Sequence, residues 1–130
     1  MKQLFITLAV AVMLFAFQTA PAQEAKRIQF AKGKNAAVVQ GTTGNNGTTY
    51  VIRAKSGQKL VLTLTPRSGV GIKVETDGTY GQQVLLREER GGTYEVGLEE
   101  SGDYTIFLGS ISGKSAGFTL TVKIVKMTDI

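Results

Sequence analysis

The chain has 130 residues, no cysteine, no histidine, and fifteen basic against ten acidic side chains, for a net charge of +5 at neutral pH. Without cysteine it has no disulfide to restrain its unfolded state, and without histidine it can build no Ser–His or Cys–His nucleophile pair. A zinc site would have to be made from carboxylates alone, so the composition disfavours an enzyme and implies neither metal nor cofactor.

Met1-Lys2-Gln3 is a short basic start, Leu4 to Phe17 is an almost unbroken apolar run, and Ala20-Pro21-Ala22 offers small residues at the two positions a signal peptidase inspects. This pattern predicts a secretory signal peptide over residues 1–22, too short and wrongly flanked for a membrane span. No cysteine follows the apolar run, which excludes a lipoprotein anchor. Residues 23–130 are then one small domain, periplasmic or secreted, with a net charge of +4 once Lys2 is gone. Lys26, Arg27, Lys32, Lys34, Arg53, Lys55 and Lys59 are interspersed with Thr, Gly and apolar residues. A spread of that kind is a solvated surface and no nucleic-acid patch.

The remaining chain reads as short strands separated by Gly- and Asn-rich turns, with no helical period. Arg27 to Phe30 is an edge strand and Ala36 to Gln40 the next, followed by a flexible turn, Gly41 to Gly47. Tyr50, Ile52 and Ala54 share one face of Thr49–Ala54, and Leu60, Leu62 and Leu64 share one face of Lys59–Thr65. Pro66 ends that strand because it has no amide proton for the ladder. Val70, Ile72 and Val74 alternate through Val70–Thr76, and Asp77-Gly78 signals a turn. Gln82 to Arg87 is a strand whose Val84-Leu85-Leu86 run leaves its inward face open, and Arg87 to Gly92 reads as a charged hairpin tip.

Thr93 to Leu108, TYEVGLEESGDYTIFL, is the best-patterned stretch: Tyr94, Val96 and Leu98 on one face, a polar corner, then Tyr104, Ile106 and Leu108. Gly109 to Gly117 is a flexible connection, and Phe118, Leu120, Val122 and Ile124 form the last inward face. Eight or nine such strands predict an all-β fold, an antiparallel β-sandwich of jelly-roll type. The expected core is Tyr50, Ile52, Leu60, Leu62, Leu64, Ile72, Val74, Val96, Leu98, Ile106, Leu108, Phe118, Leu120 and Val122.

Set side by side, FAKGKNAAVVQG (Phe30 to Gly41), YVIRAKSGQKLVLTL (Tyr50 to Leu64), ESGDYTIFL (Glu100 to Leu108) and FTLTVKI (Phe118 to Ile124) resemble the bacterial pre-peptidase C-terminal type of sandwich. They are most similar to its exported single-domain relatives, the periplasmic inhibitors of invertebrate-type and goose-type lysozymes. The resemblance implies that a Ser-Gly-x-Tyr corner enters a lysozyme cleft, here Ser101, Gly102 and Tyr104 with Asp103 at the variable place. Hydroxyl donors on a rigid corner would hydrogen-bond the two carboxyl groups of a glycosidase cleft. The same residues also fit a structural corner, with Tyr104 pointing inward and its hydroxyl tied to nearby backbone. The inhibitors carry a longer, Arg-rich loop between their last two strands, whereas Gly109 to Gly117 has Lys114 as its one charge.

The alternative is an envelope or extracellular module that binds glycan or protein without inhibiting an enzyme. For glycan, Tyr80 is the one candidate, an exposed ring in the Gly78–Gly81 turn. Asp77 and Asp103 stand alone in separate loops and read as turn residues, since calcium takes several clustered oxygens.

Overall fold

The computed structural model describes residues 25–79 and 81–127. The expected signal peptide with its cleavage after Ala22, and the ring of Tyr80, lie outside the described residues. Nine strands follow one another: β1 (Lys26–Arg27), β2 (Ala36–Thr43), β3 (Thr48–Ala54), β4 (Gln58–Thr65), β5 (Val70–Gly78), β6 (Gly81–Glu88), β7 (Gly92–Gly97), β8 (Gly102–Ser110) and β9 (Ala116–Lys126). No helix among these residues is long and apolar enough to cross a membrane.

The strands form two sheets, one ordered β1-β3-β8-β5-β6 and the other β2-β9-β4-β7. All pairings are antiparallel except the two-residue β1–β3 contact, which is parallel and so departs from the fully antiparallel sheet expected. The chain changes sheet at every connection but one, the β5–β6 hairpin closed at Gly78 and Gly81. Residues 89–91 are therefore no hairpin tip, as Arg87–Gly92 was read, because β6 and β7 sit in different sheets. The Glu99–Ser101 corner likewise carries the chain from the edge of one sheet to the centre of the other.

Strict alternation makes this possible, since each strand has one apolar face to place between the layers. Leu60, Leu62, Leu64, Leu120 and Val122 from one sheet meet Ile52, Val74, Tyr104, Ile106 and Leu108 from the other in one buried cluster. Every residue expected in the core is buried, and Ile28, Ala54, Val70, Tyr104 and Ile124 join them. Each large aliphatic side chain so buried contributes about 1.5–3 kcal/mol relative to exposure.

Two local readings change. Gly41 to Thr43 belong to β2 and not to a turn. Gly41 faces the core, where a Cβ would lie 3.1 Å from the Phe118 ring, so its missing side chain makes room for an aromatic. That ring meets Tyr50 edge-on, 6.4 Å between centroids. In β6, Val74 pairs with Leu86 and Glu75 with Val84, which leaves Leu85 as the extra residue of a β-bulge. The bulge explains why Val84-Leu85-Leu86 showed no clean inward face.

Candidate functional site

Three connections meet at one end of the sandwich: Lys55–Gly57 after β3, the β5–β6 hairpin, and Leu98–Ser101 before β8. Backbone bonds join the first and third, with the Gly57 amide donating to the Leu98 carbonyl at 3.0 Å and the Leu98 amide to Gln58 at 2.9 Å. Ser101 reinforces the pair: its Oγ accepts the Ser56 amide at 2.9 Å while the side chain remains at the exposed rim. Glu100 draws in the second connection, its carboxylate accepting the Thr79 amide at 3.2 Å.

Gly102 opens β8 with φ of 151°, a backbone state that residues with side chains rarely adopt, and space for a Cβ is open around it. Tyr104 lies underneath. It is 1% exposed, and its hydroxyl donates to the Glu100 carbonyl four residues back. Burial raises its pKa, so the group remains a neutral donor. The corner thus has Ser101 at its tip and Tyr104 as its floor, the inward of the two placements open to the sequence.

Asp103 and Asp77 lie in strands, not in turns. Asp103 faces outward and takes a two-pronged contact from Arg27, Nη1 to Oδ1 at 3.1 Å and Nη2 to Oδ2 at 3.0 Å. The Arg53 guanidinium stands 3.6 Å from the same carboxylate and is itself 73% exposed. The Arg27 hydrogen bonds hold the Asp103 carboxyl below the usual carboxylate range, aided by both guanidinium charges and opposed by partial burial. Beside the corner, a groove of about 450 Å³ opens between the edges of the two sheets, lined by Gln83, Val84, Leu85, Glu99 and Glu100 with Tyr104 at its base. No cluster of three or more metal-ligating side chains occurs among the described residues.

The loop between the last two strands is at the far end. β8 runs from Gly102 to Ser110, about 26 Å at the ordinary strand rise. There the Ile111 amide donates to Gly69 at 3.0 Å, and the Gly91 amide to Arg67 at 3.0 Å. Arg67, Arg90 and Lys114 thereby come onto neighbouring loops with Ile111, whose side chain is 52% exposed. Sequence reasoning missed this grouping because its members are scattered along the chain and no local motif joins them. The exposed large apolar residues described are Val38, Val84, Ile111 and Met127, none of them aromatic, so they form no stacking face for sugar.

No protein-family model matches the chain, and no curated protein matches its sequence. Solved structures do. Aeromonas hydrophila PliG, a periplasmic inhibitor of g-type lysozyme, superposes with a TM-score of 0.70 at 26% identity, over 81% of this chain and 99% of that one. The fold is that of these inhibitors. Salmonella Typhimurium PliG aligns with a TM-score of 0.62 at 21% identity, over 79% of this chain and 99% of its own. An Escherichia coli PliG mutant gives the same TM-score at 22% identity. These two speak for the fold alone; in the Aeromonas alignment about a quarter of the residues are also identical.

Proposed function

We propose that this chain is a non-enzymatic inhibitor of g-type lysozyme that works in the bacterial periplasm. The observation that carries the reading is the match to the Aeromonas inhibitor, over 99% of that protein with a TM-score of 0.70 and 26% identity. The absence of histidine and cysteine agrees with it, since the chain brings no nucleophile pair of its own.

The plug in this reading is the corner at Ser101 and Gly102. Ser101 Oγ already accepts the Ser56 amide, which leaves its own hydrogen to donate to a carboxyl group in the lysozyme cleft. Gly102, with nothing projecting from its Cα, lets that approach be close. Tyr104 holds the corner from beneath through the Glu100 carbonyl and does not meet the partner. The held geometry spares the ordering cost that a loose loop would incur on binding. Invertebrate-type lysozyme is the second target class, and the net positive charge disfavours strongly basic chicken-type enzyme.

The test is lysis of a bacterial suspension by each of the three lysozyme classes with the purified protein added. Inhibition of the goose-type enzyme is expected. Ser101→Ala should weaken it by about tenfold or more with the fold intact, the loss expected for one charge-assisted hydrogen bond. Tyr104→Phe should weaken it through a loosened corner. If Arg67→Ala or Arg90→Ala abolishes inhibition while Ser101→Ala does not, the far end is the plug and the corner is architecture. Inhibition of none of the three enzymes overturns the reading altogether.

A further inference from the structure

A sandwich has four sheet edges, and three of these are blunted. β1 is two residues long and both are cationic. β6 is kinked by its bulge at Leu85 and ends in Arg87-Glu88. β7 spans six residues, has Glu95 within it and a glycine at each end. Short length, charge and bulges are the usual devices that stop an edge from recruiting another strand.

β2 has none of them. It is eight residues long, AAVVQGTT, without charge or proline. It pairs with β9 residue for residue from Ala36 opposite Lys123 to Thr43 opposite Ala116, with no bulge, and no strand among the described residues lies on its other side. Each of the other eight strands carries at least one charged side chain. Ala36, Val38, Gln40 and Thr42 face outward, and Val38, 59% exposed, is the most exposed of the large apolar side chains described.

We propose that the free margin of β2 pairs antiparallel with β2 of a second copy across a two-fold axis, joining two four-stranded sheets into one of eight strands. The occupant follows from charge and symmetry. The protein carries a net positive charge, which opposes association of like copies, but β2 is itself uncharged, so two copies of it set against each other oppose no like charges. An antiparallel pair of identical strands is also self-complementary, as a two-fold interface requires. The rims at both ends of the sandwich stay open, so a dimer presents two copies of the proposed plug.

A strand-to-strand contact falls below the ~1,200 Å² of a standard stable interface, so the dimer should be weak and concentration-dependent. The test is sedimentation of protein purified from the envelope of expressing cells, up to about millimolar, where even so small an interface should register. Amide hydrogen exchange at low and high concentration locates the contact. Dimer formation with added protection confined to β2 is the expected result. Val38→Lys and, independently, Gln40→Lys should each weaken the dimer about tenfold or more by opposing like charges across the axis, with the monomer still folded. A parent that stays monomeric throughout, or a dimer whose β2 amides exchange as fast as in the monomer, overturns the proposal.

Discussion

Asp103 shows how one side chain changes meaning between sequence and structure. In the sequence it fills the variable place of a corner; in the fold it lies on the outer sheet face beneath two guanidinium groups, joining β8 to β1 through Arg27. Those hydrogen bonds lower its pKa in the folded protein. The unfolded chain therefore takes up the proton at higher pH than the folded one. The stabilisation is complete above the ordinary aspartate value and disappears as pH falls through the lowered value. Asp103→Asn should remove this dependence. Denaturant unfolding of parent and variant should show a gap that is constant near neutrality and closes on acidification between about pH 5 and pH 2. A level gap through that window would show that the pair adds nothing, as is common for exposed ion pairs. None of this was legible beforehand, because Arg27 lies 76 residues away and no pattern links the two.

Strands were the legible scale. Period-two alternation picked out the inward faces of β3, β4, β5, β7, β8 and β9, because a strand buried on one side must place apolar residues at every second position. The places where it failed have physical causes. Gly41 to Thr43 looked like a turn because glycine and threonine are weak local signals, yet Gly41 is needed in the strand for the Phe118 ring. β6 resisted because a bulge breaks the period. Leu62 tests the element at its strongest point: it is fully buried at the centre of β4, between β7 and β9. Leu62→Ala should cost about 2–5 kcal/mol, read as a lower denaturant midpoint with an unchanged slope. A cost below about 1 kcal/mol would mean that the layers close over the gap.

At the scale of the molecule the sequence foretold a β-sandwich of eight or nine strands but not its wiring, since alternation tells a strand's inward face but not its neighbours. Assignment to sheets depends on which strands the crossovers bring together, and here the chain switches layer at all connections but one. The corner was legible as a motif, and its role as the meeting point of three connections was not. The order of strands has a further consequence. β9, last of the described strands, is the inner partner of both β2 and β4, and β8 stands between β3 and β5. A chain ended after Ser110 would leave β2 with no strand to pair with. It should stay open to protease and show no cooperative unfolding, and a stable truncated sheet would contradict this. Such late, long-range pairing makes for slow folding. If the protein works in the periplasm as proposed, and so crosses a membrane unfolded, slowness is an advantage. One sheet cannot close before β8 has been made and the other before β9, so the emerging chain stays threadable until residues 102–126 have left the ribosome.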